Sequence, residues 1–194
     1  MIWYEQPPQG VTMLLTRENS GFLLVDVQEK LTPHVLNSDA LIARCQWLLR
    51  LATQLDVPCV VSEQYPRGLG HTVEPLLHLT THDKCIDKVH FSCYREPSFV
   101  NHWQTLNRRQ VVIAGIETHV CVLQTAIDMV ASGLDVFVVV DAVSSRHELD
   151  HNYGLKRMKQ AGINLVTSEM VFFEWVGQAG TPEFKALSQA YLRG

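Results

Sequence analysis

Asp26, Lys88 and Cys121 lie far apart in the chain, yet their types together suit attack on an electrophilic carbon. Cysteine sulfur attacks as thiolate, a carboxylate takes up the thiol proton as general base, and a lysine ammonium keeps both anions paired. Each also has a plain reading. An unpaired cysteine is commonly a small buried hydrophobe, a lysine near a strand end is commonly a solvated cation, and a carboxylate inside an apolar run is costly unless partnered. Placement favours the chemistry. Asp26 interrupts the run F-L-L-V-D-V-Q near its carboxyl end, Lys88 stands in the run 85–91, and Cys121 follows the run 111–114, which stops at Gly115. If these runs are parallel strands, the three side chains converge over one edge of the sheet, where open α/β sheets bind ligands.

The segment after Gly115 carries Val120, Leu123, Ile127, Val130 and Leu134 at helical spacing, with Gly133 placed to end the helix. Cys121 falls outside that stripe and in the first turn. Unpaired backbone N–H groups and the helix dipole favour an anion there, so a readily formed thiolate is expected. Cys45, Cys59, Cys85 and Cys93 have no helix start of their own.

Short apolar runs from residue 21 and at 57–61, 85–91, 111–114, 135–140 and 163–166 read as strands. Between them, helices are predicted over 40–55, with Leu41, Leu48, Leu51 and Leu55 on one face, and over 98–106, 145–161 and 182–192. Pro182 suits a first helical turn. Six strands alternating with helices predict an α/β domain whose parallel sheet is covered on both faces. Residues 1–19, with the pair Pro7-Pro8 and no periodicity, read as an N-terminal arm, and residues 20–194 as one domain without an internal linker.

The 194 residues carry a net charge of −4, 46% hydrophobic and 19% charged residues, and no block of like charges. Neither nucleic acid nor an anionic membrane is an expected partner, which leaves a small-molecule substrate. Five cysteines without a C-x-x-C pair argue for a reducing compartment and against a disulfide framework or zinc ribbon. The N-terminus lacks a signal-peptide pattern and no apolar run is long enough to span a bilayer, so a cytoplasmic or organelle-matrix setting is expected. No G-x-G-x-x-G follows the first strand and no phosphate-binding G-x-x-x-x-G-K-[ST] occurs, so no nucleotide cofactor is expected.

Four motifs bear a resemblance covering about residues 20–174. They are L-L-V-D-V-Q-E at 23–29, K-V-H-F-S-C-Y at 88–94, G-I-E-T-H-V-C-V at 115–122 and V-V-D-A-V-S-S-R at 139–146. The chain resembles the isochorismatase-like cysteine hydrolases, the superfamily of nicotinamidases and N-carbamoylsarcosine amidases, and most of all their isochorismatase-domain proteins. The resemblance implies a doubly wound, Rossmann-like sheet of order 3-2-1-4-5-6, a homo-oligomer, and a triad of Asp26, Lys88 and Cys121. It further implies a cis peptide between Ile116 and Glu117, with the backbone N–H groups of Glu117 and Cys121 forming an oxyanion hole. Substrate contacts are expected from Gln28, Gln64, Tyr65, Phe91, Thr118 and His119. Where the metal-binding amidases carry Asp-x-His, this chain aligns Gln64-Tyr65-Pro66, so neither metal nor other cofactor is expected and nicotinamide becomes a less suitable substrate.

H-E-L-D-H at 147–151 matches the zincin pattern, but no histidine follows His151 to supply a third ligand, so the match reads as chance. Two other readings stay open at this point. One is vinyl-ether hydrolysis of the isochorismatase type, with Asp26 as acid and the thiol dispensable. The other is a non-catalytic oligomeric scaffold in which Trp3, Tyr4, Trp103 and Trp175 serve subunit contacts as easily as core.

Overall fold

A computed structural model describes residues 13–80 and 85–192; of the arm expected over 1–19, residues 1–12, with Trp3 and Tyr4, lie outside the described residues. At the centre is β1 (Ser20–Val25), six residues that are all buried because both faces of the sheet are covered. It is flanked by β2 (Cys59–Gln64) and then β3 (Cys85–Lys88) on one side. On the other side come β4 (Gln110–Ile116), β5 (Asp135–Ser144) and β6 (Asn164–Val166). All pairs are parallel and the order is 3-2-1-4-5-6. The order reverses between β1 and β4, so the crevice beyond their carboxyl ends is the topological switch point of the sheet.

Strand alternation sorts the core into two layers. Phe22 and Leu24 face α1 (Ser38–Gln54), α7 (Ser168–Val176) and α8 (Pro182–Tyr191), through residues such as Leu48, Phe172 and Leu187. Leu23 and Val25 face α4 (Pro97–Thr105), α5 (Leu123–Ala131) and α6 (Glu148–Gln160), through residues such as Phe99, Ala126 and Met158. Two one-turn helices, α2 (Pro66–Leu69) and α3 (Glu74–Leu77), sit in the glycine-bearing loop after β2. Trp103 and Trp175 are both core residues, and Trp175 Nε1 donates to Ser20 Oγ at 2.9 Å, so neither is available for a subunit contact.

Three features depart from the pattern read in the sequence. Helix α7 was not expected, because its S-E-M-V-F-F-E-W-V is apolar nearly all round and has no period; Thr167 caps it by accepting from Met170 N at 3.3 Å. Strand β5 runs to Ser144, not residue 140, and α6 starts only at Glu148. Between the pairs Ile113↔Val138 and Gly115↔Val143 the fourth strand advances two residues and the fifth advances five. That bulge turns Asp141 outward to receive Ser168 N at 2.8 Å and Ser168 Oγ at 2.6 Å. The sheet-facing stripe after β4 is also shifted. Val122, Leu123, Ala126 and Met129 are buried while Val120, Ile127 and Val130 are only partly so, and Cys121 belongs to the same buried cluster. The cause is a wide π-turn at Thr118–Val122, which changes the phase of the helix that follows.

Candidate active site

Asp26 is the first residue beyond β1. It adopts a left-handed φ of 51°, a conformation that aspartate tolerates better than most residues, and its N–H donates to Ser62 O at 3.1 Å. The carboxylate has no exposed surface. Oδ1 accepts from Ser62 Oγ at 2.7 Å, and Oδ2 lies 2.7 Å from Lys88 Nζ. Lys88 ends β3 in register with Gln64, and its ammonium also donates to Gln64 Oε1 at 2.6 Å, Phe91 O at 3.1 Å and His90 O at 3.3 Å. The strand stops at Lys88 because the chain curls back to put those two carbonyls on its own ammonium, which is why the expected run to residue 91 is shorter.

Cys121 is presented by the π-turn. Gly115 lets β4 approach β1 closely enough for this: its φ is +121°, and a Cβ there would run into the Val25 backbone carbonyl. The Ile116–Glu117 peptide is cis. The thiol is buried with Asp26, Lys88 and Cys93 as its charged or polarisable neighbours.

Electrostatics at the three groups correct one expectation. Burial pushes the Cys121 thiol well above its usual range, the Asp26 carboxylate adds to that, and Lys88 opposes it. The free protein therefore holds a neutral thiol, not the thiolate expected from a helix start. Burial also raises Asp26, against the pull of Lys88, Ser62 and Cys121. For Lys88, burial lowers the ammonium, but the Asp26 carboxylate beside it more than restores it, so its proton is held firmly.

The other residues singled out in the sequence are placed as follows. Gln28 is fully buried, with Nε2 donating to Gln64 O at 3.0 Å and Gly70 O at 2.7 Å, and Oε1 accepting from Gln64 N at 2.7 Å. Gln64 gives Oε1 to Lys88 and Nε2 to Val89 O at 2.8 Å. Tyr65 and Phe91 are 54% and 53% exposed beside the ends of β2 and β3. Thr118 Oγ1 lies 3.0 Å from His151 Nδ1, and His119 Nδ1 lies 3.0 Å from Ser145 Oγ. Glu117 Oε2 accepts from both N and Nε of Arg146, at 3.0 and 3.1 Å.

Sequence reasoning missed Ser62, Arg146 and His151 in these contacts. Ser62 did leave a signal, as a hydroxyl inside the buried run C-V-V-S-E-Q that needs a partner. Arg146 and His151 left none, because their partners are set by how β5 and α6 return to the switch point.

Two clefts, of about 540 and 360 Å³, open elsewhere. The larger lies between α1 and the start of α6, bounded by residues such as Leu36, Ser144 and His151; the smaller is lined by surface charges including Arg17 and Glu183. Neither includes Asp26, Lys88 or Cys121. The buried ion pair beside a thiol outweighs cleft size as a marker of chemistry, because there charge, acceptor and nucleophile meet. Among the described residues no three His, Cys, Asp or Glu side chains are placed to hold a metal ion, and no helix is long and apolar enough to cross a membrane. The two ends of H-E-L-D-H are used locally: His147 precedes α6 as its N-cap, and His151 meets Thr118.

Comparison with known proteins agrees with this architecture. Residues 20–170 match the isochorismatase domain. The chain is 35% identical to isochorismatase family protein 1B of Dictyostelium discoideum, covering 88% of this chain and 84% of that one. It is 36% identical to isochorismatase domain-containing protein 2 of Xenopus laevis, covering 92% and 86%. Among solved structures, the MAR1 ribonuclease of Caenorhabditis elegans superposes with a TM-score of 0.86 at 38% identity, over 94% of both chains. The YcaC protein of Escherichia coli, an octameric hydrolase of unknown specificity, superposes with a TM-score of 0.83 at 25% identity, over 96% and 98%. The chain belongs to the isochorismatase family and is a hydrolase of its α/β type.

Proposed function

We infer that this hydrolase works without a metal, through Cys121, Asp26 and Lys88, on a small amide, carbamoyl or related substrate. The observation that carries the reading is the buried Asp26–Lys88 pair at 2.7 Å beside the Cys121 thiol. Asp26 takes the thiol proton as Cys121 sulfur adds to the substrate carbon, and the oxygen that becomes negative is received by the N–H groups of Glu117 and Cys121. Collapse of this adduct expels ammonia or an amine carrying the proton from Asp26 and leaves a thioester. Water, deprotonated by the same carboxylate, releases the acid and the free thiol. Lys88 keeps its proton throughout and balances the buried negative charge.

Gln28 and Gln64 have their amides engaged within the frame, so they act by holding Lys88 and the loop after β2, and substrate contact falls to Tyr65 and Phe91. Gln64 is a neutral amide whose oxygen already serves Lys88, which supports the metal-free reading. The C. elegans relative is described as a ribonuclease. For this chain a phosphodiester backbone finds poor support: the net charge is −4, and the ends of Lys88, Arg95 and Arg146 are taken by Asp26, Asp128 and Glu117. A homo-oligomer fits the octameric relative and the exposed apolar side chains Leu149, Met170 and Phe173. We place it in the cytoplasm or an organelle matrix.

The test is release of ammonia from a panel of primary amides and carbamates by the parent, Cys121→Ala and Asp26→Asn. Loss of turnover in both variants is the expected result. Hydrolysis of a vinyl ether that Cys121→Ala retains and Asp26→Asn loses, with no ammonia released from the amides, would transfer the assignment to vinyl-ether hydrolysis, and turnover of neither substrate class by the parent would favour the scaffold.

A further inference from the structure

The turn that presents Cys121 is fastened by three consecutive side chains to one short segment, residues 145–151. Glu117 takes two hydrogen bonds from Arg146, Thr118 meets His151, and His119 meets Ser145. The segment is itself anchored from the opposite side: Ser145 O accepts from Leu36 N at 3.0 Å, and Ser144 Oγ donates to Leu36 O at 2.7 Å. Helix α6 presses on the same turn through Gly154, where a Cβ would stand 3.1 Å from His119 Cα. Glu117 is 12% exposed while Arg146 is 57% exposed, so the pair spans from the buried turn to the surface. A solvated ion pair of this kind adds little stability. Its geometry is nevertheless specific, because Arg146 engages Glu117 with both its backbone N–H and its guanidinium. Burial disfavours the protonated form of His151, which suits a hydrogen bond with a hydroxyl.

We propose that Arg146 and His151 are positioning residues for the reaction: through Glu117 and Thr118 they hold the two backbone N–H groups that receive the oxyanion. This rests on the Cys121 mechanism above. Neither side chain touches the reacting atoms. Their effect is on where the turn stands, and a displaced oxyanion hole weakens binding of the tetrahedral adduct without weakening binding of the trigonal substrate.

The test uses hydrolysis of p-nitrophenyl acetate and its inhibition by butyraldehyde. In the inhibited state the Cys121 sulfur bonds to the aldehyde carbon, the carbonyl π bond opens to an oxyanion in the hole, and the thiol proton passes to Asp26. Arg146→Met and His151→Leu should each lower kcat about tenfold and weaken butyraldehyde by a similar factor, with KM within about twofold of the parent. His151→Asn, which keeps a polar atom near the Nδ1 position, and Arg146→Lys, which keeps a cation for Glu117, should recover most of both losses. Unchanged kcat and aldehyde affinity in Arg146→Met and His151→Leu would overturn the proposal. So would a fall in kcat that leaves aldehyde affinity intact, or one that the conservative variants do not recover. Failure of the underlying mechanism shows separately, as Cys121→Ala hydrolysing the ester as fast as the parent, and removes the proposal with it.

Discussion

Replacing Lys88 by Met strips the cation from a carboxylate that has no exposed surface and leaves a side chain of similar length in its place. The charge part of the resulting loss has a ceiling. Asp26 does not persist as a bare anion in the core but takes up a proton, and that uptake costs about 1.36 kcal/mol for each unit by which the solution pH exceeds the carboxyl's value in the unfolded chain. With an ordinary value of 3.8, the ceiling is about 4.4 kcal/mol at pH 7 and about 1.6 kcal/mol at pH 5. The sign follows from proton counting. The native variant binds a proton on Asp26 that the unfolded chain releases above 3.8, so its stability falls as pH rises. The carbonyls of His90 and Phe91 and the Gln64 amide also lose a donor, but that loss is independent of pH. Urea unfolding of the parent and Lys88→Met at both pH values separates the two parts. The deficit should shrink by as much as about 2.7 kcal/mol on going from pH 7 to pH 5. Asp26→Asn/Lys88→Met, with no charge left to bury, should be more stable than Lys88→Met alone at pH 7. A deficit equal at the two pH values, or a double variant no better than the single one, would refute the claim that these residues form a buried ion pair.

Ser62→Ala removes a hydrogen bond that favours the ionised form of Asp26. Because turnover needs that form, the acid limb of the kcat profile should move to higher pH while the rate above it changes little; an unmoved limb would count against Asp26 as base. Gly115→Ala puts a methyl group against the Val25 carbonyl at a positive φ and should cost at least about 3 kcal/mol, seen as a melting temperature about 6 °C or more below the parent. A smaller drop would mean that β1 and β4 can separate without penalty. Phe91→Ala removes an exposed ring and keeps the carbonyl that serves Lys88, so KM should rise with kcat within about twofold; an equal fall in kcat would place the ring in the chemistry instead.

The sheet was legible because its strands are short, apolar and buried on both sides, and Asp26 was conspicuous as a charge inside such a run. Lys88, inside the expected run 85–91, and Cys121, beyond the run 111–114, were joined to it as a triad through the family resemblance, and only the structure shows that the third strand ends at Lys88. The helix over 168–176 was not legible, since a segment apolar nearly all round shows no period to read, although it buries only Ser168, Val171, Phe172 and Trp175. Nor was the extent of β5, where a bulge breaks the register that periodicity assumes. Cys121 was placed outside its helix stripe because a regular 3.6-residue turn was assumed where the chain makes a wider one. Ser62 could have been paired with Asp26 from the sequence alone only by knowing that it lies opposite Val25 in the neighbouring strand.

The error about the thiol's resting state has a physical lesson for the proposed mechanism. A position near a helix start favours a thiolate only if the surrounding charge allows it, and here one ammonium already serves one carboxylate in a site closed to solvent. A resting thiolate would place two anions against a single cation and desolvate the second, which is why burial and Asp26 push the thiol upward. The proposed attack avoids that state. As the thiol proton moves to Asp26, the negative charge leaves the carboxylate and appears on the substrate oxygen, so the site holds one anion and one ammonium before, during and after addition. Lys88 therefore need not move to follow the charge, and the four oxygens that fix its ammonium do not oppose the reaction. The charge must travel from Asp26 to the turn at Glu117 and Cys121, which makes the exact seating of that turn, and hence its fastening to residues 145–151, the part of the frame on which the rate depends most.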